Sequence, residues 1–203
     1  FQVPLLIDSE PGKCLVLGGG SNILFTGDFN GTIVQPAFMD IAIEDIDTEY
    51  AIVSAEAGLE WDRFVEWTVE NDMNGLENLS HIPGSVGAAP IQNIGAYGVE
   101  VSVLINNVHA VSLYTAEQKV FSPDECQFAY RDSIFKSRLK GKYLITRVDF
   151  RLKRQANEFN IQYGALADMV SRSGDYSARG VREAVIQIRK DRLPDPAVRG
   201  NAG

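Results

Sequence analysis

Cysteine is almost missing from this chain, with Cys14 and Cys126 the two among 203 residues. One disulfide is open by count, yet nothing else in the sequence marks secretion, so both are expected as thiols of a cytoplasmic protein. No apolar run reaches the ~18 residues of a membrane-spanning helix. No signal sequence is legible either, so no membrane partner is expected. The chain begins at Phe1 without an initiator methionine, which points to a trimmed or partly ordered polypeptide. Basic excess is absent too: 19 lysines and arginines face 27 aspartates and glutamates, for a formal charge of −8. With no basic arm and no aromatic-interleaved basic stripe, that balance excludes a nucleic-acid partner held by generic phosphate attraction. Any phosphate must be gripped locally. Internal repeats and low-complexity tracts are lacking. A content of 45% apolar and 23% charged residues describes a soluble globular protein of one or two domains with a sizeable core.

What the chain does have is glycine in two concentrated places. Ile82 to Glu100 reads IPGSVGAAPIQNIGAYGVE, with two prolines and four glycines, a composition that suits neither an ordinary helix nor an ordinary strand. Small residues let the main chain approach a bulky anion, and successive N–H groups form a concave donor nest without any lysine or arginine. Earlier, the apolar run Cys14 to Leu17 feeds into Gly18, Gly19, Gly20, Ser21 and Asn22. Either stretch alone reads equally as a surface loop; two together suggest a diphosphate. GGGSN lacks both the G-x-G-x-x-G spacing with a distant acidic residue and the GK[ST] ending, so a Rossmann site and a P-loop are disfavoured. A dinucleotide such as FAD, held by two separate glycine segments, remains open.

Short apolar runs bounded by turn residues predict strands at Cys14 to Leu17, Thr32 to Gln35 and Ala51 to Ala55. Trp61, Phe64, Val65, Thr68 and Val69 recur at helical spacing, with Asp62, Arg63, Glu66 and Glu70 between them. Both tryptophans are expected in the core. Thr146, Val148, Phe150 and Leu152 alternate with Arg147, Asp149, Arg151 and Lys153, as in a strand with one buried face. A last helix is expected to start at Ser177 as N-cap, turn Val181, Ala184, Val185 and Ile188 inward, and end by Leu193, before Pro194. Helices do not join these strands at the regular spacing of a doubly wound sheet, so the class is α+β.

Four stretches, LGGGSNILF (Leu17 to Phe25), GLENLSHIPGSVGAAPIQNIGAYGVE (Gly75 to Glu100), YRDSIFK (Tyr130 to Lys136) and RLPDPAVRGNAG (Arg192 to Gly203), together resemble the UDP-N-acetylenolpyruvoylglucosamine reductases of bacterial cell-wall synthesis. The likeness runs nearly end to end. It implies a two-part FAD-binding fold of the vanillyl-alcohol-oxidase type, divided as residues 1–48 (small N-terminal subdomain), 49–193 (larger α+β subdomain) and 194–203 (stub of a substrate domain). FAD would be cradled by Gly18, Gly19, Gly20, Ser21 and Asn22. The second segment would add Ile82, Pro83, Gly84, Ser85, Gly87, Ala88, Ala89, Pro90, Ile91, Gln92, Asn93, Ile94, Gly95, Ala96 and Tyr97, with Ile91, Ile94 and Ala96 suited to the isoalloxazine. Relatives of this fold that attach flavin covalently use a histidine in the first glycine turn. Here His81 and His109 are the only histidines and neither lies there, so noncovalent FAD is expected. His109, in a strand-like run, is expected to be structural.

The resemblance further implies reduction of an enolpyruvyl ether to a lactyl ether: NADPH reduces the flavin, which then passes hydride to the substrate of UDP-sugar type. Arg131 matches the family's catalytic arginine, a planar guanidinium suited to an enolate formed from a carboxylate. Read from YRD alone, Arg131 could equally pair with Asp132. Tyr163 resembles the tyrosine of a substrate-covering loop, Arg192 stands where relatives can have a diphosphate-binding lysine, and Arg189 is an auxiliary or a solvated helix-end arginine. No metal is implied, and a monomer is expected. In relatives a proton-donating serine follows NAG. This sequence stops before it, so the chain alone is expected to bind FAD with negligible turnover. A noncatalytic FAD- or nucleotide-sugar-binding module and a flavin oxidase of the same fold are the alternatives.

Overall fold

The computed structural model describes residues 14–194. Strands β1 (Cys14–Val16) and β2 (Thr32–Val34) form a small parallel sheet, with Leu15 opposite Ile33. A larger antiparallel sheet is built from β3 (Ile41–Asp45), β4 (Tyr50–Glu56), β8 (Ile105–Ser112), β9 (Gln118–Phe121) and β10 (Tyr143–Arg154) in the order β3-β4-β10-β8-β9. The two-residue β5 (Met73–Asn74) pairs at the far end of β10. Mixed helix and antiparallel sheet is the expected α+β class. Because β3 pairs with β4, the division at residue 48 falls between two strands of one sheet.

Helix α1 (Trp61–Glu70) buries Trp61, Phe64, Val65, Thr68 and Val69, the face its periodicity predicts. Phe64 meets Phe150 of β10 with ring centroids 5.0 Å apart, and Trp61 stands 6.0 Å from both. Such aromatic clusters add to simple area burial. Trp67 packs only partly buried against the same core. Thr68, polar and fully buried, satisfies its hydroxyl on the Val65 carbonyl at 2.8 Å.

Strand β10 departs from a one-faced pattern. Val148, Phe150 and Leu152 are buried as expected, but Asp149 is buried on the opposite face. There it accepts from Ser54 Oγ at 2.7 Å, lies 2.6 Å from His109 Nε2 and pairs with Arg147 Nε at 3.0 Å. The polar residue is tolerated because every oxygen has a partner. His109 is thus a structural residue of β8. Irregular pairing between Ile145 and Arg147 and again between Asp149 and Phe150 shifts the register of β10 against β8, and the consecutive Leu144 and Ile145 are both buried.

Between β5 and β8 the glycine-rich stretch forms neither a long helix nor a long strand. It contains a single 3-10 turn at Val86–Ala88 and a hairpin, β6 (Gly95–Ala96) with β7 (Val99–Glu100). Tyr97 and Gly98 connect the hairpin strands with φ of 48° and 80°, the two positive values of a type I′ turn. Helix α2 (Pro123–Cys126) follows β9 with a Ser122–Glu125 capping box. It ends on buried Cys126, a free thiol that burial, aided by Glu125, pushes up to about 12. Cys14 is also free, so the described pair is two thiols.

Helices α3 (Ala165–Ser173) and α4 (Ala178–Arg192) pack on each other through Leu166, Val170, Val181, Ala184, Val185 and Ile188. Ser177 caps α4, its Oγ accepting the Gly180 N–H at 3.1 Å. Leu193 turns extended before Pro194, as a residue preceding proline should. Of the RLPDPAVRGNAG stretch and the 194–203 stub, everything after Pro194 lies outside the described residues. Among the described residues no helix is long and apolar enough to cross a membrane.

Candidate functional site

The first glycine bend is aimed by the small sheet. Leu17 N–H still bonds to Val34 O at 2.9 Å, after which Gly18 to Asn22 turn away, with Gly20 at φ +73°. Gln35 Nε2 steadies the bend by donating to Gly18 O at 3.0 Å. The second bend is pinned to the chain leading into α1. Trp61 N–H donates to Gly84 O at 3.0 Å, Val86 N–H to Leu59 O at 2.9 Å, and Gly87 N–H to Ala57 O at 3.0 Å. Gly87 is required by this seat, because a Cβ there would lie 2.6 Å from Ala57 Cβ.

The two bends face each other at close range. A Cβ on Gly18 would fall 2.8 Å from Ser85 Oγ, and one on Gly19 would fall 3.7 Å from Gly84 Cα. Asn22 Nδ2 donates to Gln92 Oε1 at 3.0 Å across the gap. Between the bends opens a cleft of about 560 Å³. Among the described residues, no hydrogen bond uses the main-chain N–H groups of Gly19, Gly20, Ser21, Gly84 or Ser85. Unused donors on two converging glycine bends fit a diphosphate. The rest of the cleft is walled by side chains such as Val16, Pro36, Leu113, Phe135, Leu139 and Tyr143, a surface for planar rings. Both halves suit FAD.

Of the cofactor residues expected from sequence, Gly18, Gly19, Gly20, Ser21, Asn22, Pro83, Gly84, Ser85, Gly87, Ala88, Ala89, Ile91, Gln92 and Ile94 line the cleft. Ile82, Pro90, Asn93, Gly95, Ala96 and Tyr97 are not among its lining residues. Asn93 is instead a buried bracket: its Nδ2 donates to Glu100 Oε2 and Ala129 O, both at 2.9 Å, while its Oδ1 accepts the Ser102 N–H at 3.1 Å. Leu113, Phe135, Leu139 and Tyr143 are not legible as site residues, because they are ordinary core-type apolar and aromatic residues; even Phe135, inside YRDSIFK, carries no signal of its own beside Arg131.

Arg131 stands beside the cleft rather than in its wall, at φ +54°. Its Nη1 donates to Asn93 O at 3.3 Å and its Nη2 to Gly95 O, both on the second glycine segment. Pairing with Asp132 is not what holds it, since that carboxylate accepts the Ser133 N–H at 2.9 Å. The loop is stitched down further by Ser133 Oγ donating to Ile91 O at 2.7 Å and by Lys136 Nζ donating to Arg131 O at 2.9 Å. Tyr130 is 81% exposed, with the Arg131 guanidinium 5.5 Å from its ring centre.

Tyr163, Arg189 and Arg192 are outside the cleft lining, and the first two meet at Tyr97. Tyr163 packs edge-on against Tyr97 with ring centroids 6.0 Å apart. Arg189 Nε donates to His81 O at 2.9 Å and its guanidinium faces the Tyr97 hydroxyl. Burial raises the Tyr97 hydroxyl above its usual range against the pull of Arg189 and Arg192, and burial lowers Arg189. Arg192 is exposed in the last turn of α4.

The family described as FAD binding domain matches residues 7–122. The UDP-N-acetylenolpyruvoylglucosamine reductase of Bdellovibrio bacteriovorus is 49% identical over 189 residues, 93% of this chain and 56% of that protein. That of Pseudomonas fluorescens is 46% identical over 191 residues, again 93% and 56%. Among solved structures, the UDP-N-acetylenolpyruvylglucosamine reductase of Thermus caldophilus shares the fold with a TM-score of 0.64 at 24% identity, over 94% of this chain and 59% of that one. The chain therefore spans a little over half the length of the curated relatives it matches. With a family match over more than half its residues, sited on both glycine bends, the chain belongs to the FAD binding domain family.

Proposed function

We propose that this chain is the FAD-holding part of a UDP-N-acetylenolpyruvoylglucosamine reductase, a flavin-dependent oxidoreductase that uses NADPH in cytoplasmic peptidoglycan synthesis. The observation that carries the reading is the convergence of two glycine bends with unused N–H groups on one cleft. Gly18 to Asn22 and Pro83 to Gly87 would hold the diphosphate through main-chain donors, and Ile91 and Ile94 would contact the ring system. Bound there, FAD would supply hydride chemistry, accepting two electrons from NADPH and passing them to the enolpyruvyl ether.

Arg131 would stabilise the negative charge that develops on the substrate carboxylate. Two of its five N–H groups already bond to Asn93 O and Gly95 O, which fixes the guanidinium plane before substrate arrives. Tyr163, Arg189 and Arg192 would serve the UDP portion, the arginines meeting the diphosphate and Tyr163 covering the base. A monomer accords with this reading.

The test has two arms. Purified chain mixed with FAD should retain a flavin spectrum after gel filtration, at one flavin per chain. A polypeptide extended to the length of the relatives should oxidise NADPH only when the enolpyruvyl nucleotide sugar is present. Retained flavin without that dependence would leave a noncatalytic FAD-binding module, and peroxide production would favour an oxidase.

A further inference from the structure

His81 is the residue that delivers the chain into the second glycine bend, and it does so at φ +59°, a region that a residue with a Cβ enters only when its surroundings hold it there. Both of its main-chain groups are held. Its N–H donates to Asp62 Oδ1 in the first turn of α1, and its carbonyl accepts from Arg189 Nε of α4 at 2.9 Å. Asp62 is itself gripped by Arg182 of α4, through Nη1 to Oδ1 at 2.6 Å and Nη2 to Oδ2 at 3.0 Å. This bidentate pair is largely buried, the Arg182 side chain being 9% exposed and that of Asp62 22%. Glu66 Oε1 lies 3.6 Å from Arg182 Nη2 on the same face of α1. One residue before Asp62, the Trp61 N–H holds Gly84 O at 3.0 Å. The first turn of α1 therefore fixes both ends of the His81–Gly84 turn.

We infer that Asp62 and Arg182 are positioning residues for the cofactor-binding bend. Their ion pair between α1 and α4 locks the Asp62 carboxylate toward the His81 N–H and thereby sets where Gly84 and Ser85 present their donors. Neither side chain lines the cleft; both act through His81. Burial alone would raise the Asp62 carboxyl, but the Arg182 guanidinium and the His81 N–H outweigh it and keep the group below its ordinary value, as an anion in use at neutral pH requires. Two α4 arginines converge on this one turn, Arg182 through Asp62 and Arg189 directly, so α4 couples the Tyr97–Tyr163 corner to the glycine bend. The inference rests on the FAD reading for its consequence, not for its geometry.

Amide hydrogen exchange and FAD titration of the same variants test it. In FAD-free chain, Arg182→Gln leaves Asp62 in place but removes the bidentate pair, and should speed exchange about tenfold at the hydrogen-bonded amides of the bend, His81, Val86 and Gly87, with β8 and β10 unchanged. Asp62→Ala should do the same, and the double variant should be no worse than either single one, as expected for residues in one network. FAD affinity, read from flavin fluorescence, should fall about tenfold in each. Unchanged exchange at the bend would overturn the inference, as would faster exchange with wild-type FAD affinity. A wild-type chain that fails to bind FAD would sink the cofactor reading, while the exchange arm would still decide the role of the pair.

Discussion

Glu77 shows how much one buried carboxyl can reveal at the scale of a residue. It is 5% exposed, and its Oε2 accepts the Gly75 N–H at 2.7 Å. Burial raises its pKa above 4.5, only partly opposed by that N–H. A raised folded-state value means that the native protein binds the proton more tightly than the unfolded chain does. Its contribution to stability is therefore fully present below 4.5 and is lost as pH rises through the folded value. Glu77→Gln removes the titration while keeping an acceptor for Gly75. The stability of the variant relative to wild type should rise with pH above 4.5 and level off once Glu77 is ionised, as measured by urea unfolding between pH 4 and pH 8. A difference that does not vary with pH would contradict this assignment. Burial of this kind is hard to read from a sequence. Glu77 sits in GLENLS like any surface acid, and the alternation of β10 likewise hides that Asp149 is buried against Ser54 and His109.

At the scale of elements, a tightly constrained contact next to the cleft is Gly87 against Ala57, where the residue after β4 and the 3-10 turn share no spare volume. Gly87→Ala places a methyl 2.6 Å from Ala57 Cβ and 3.1 Å from Ala57 Cα. It should destabilise the fold by about 1–3 kcal/mol, the usual effect of overpacking. Ala57→Gly in the same chain should recover part of that loss, since it removes the nearer of the two clashing atoms. Chemical denaturation of the two single variants and the double variant checks both statements; equal stability of Gly87→Ala and wild type would show that the turn can shift freely. Elements with strong periodicity were legible. Helix α1 and helix α4 with its Ser177 cap lie within a residue or so of the positions predicted from pattern alone, because each buries one regular face; strands β1, β2 and β4 do so as short apolar runs between turn residues, although β2 leaves Thr32 and Ile33 exposed. Helix α3 escaped notice since only Leu166 and Val170 are buried along it, too few to set a period. Strand β3 sits at the sheet edge with Ile43 44% exposed, which blurs alternation.

The whole molecule joins what the sequence keeps apart. Some sixty residues separate Gly18–Asn22 from Pro83–Gly87, and only the docking of β1 and the α1 lead-in on one cleft makes a single site of them. Their glycine content was visible in the sequence, and so was the pairing of roles, because main-chain approach requires small residues. The apolar far wall was not, since Leu113, Phe135, Leu139 and Tyr143 are ordinary core-type residues until folding assembles them. YRDSIFK is the sequence signal that singles out Arg131. Its attachment to Asn93 O and Gly95 O adds that the arginine loop is tied directly to the second glycine segment. The central claim is that both bends grip one diphosphate, and amide chemical shifts of nitrogen-15-labelled chain during FAD titration test it most directly. Shifts at Gly19, Gly20 and Ser21 should grow together with those at Gly84 to Gly87 and saturate at the same FAD concentration; shifts confined to one bend, or absent from both, would contradict it.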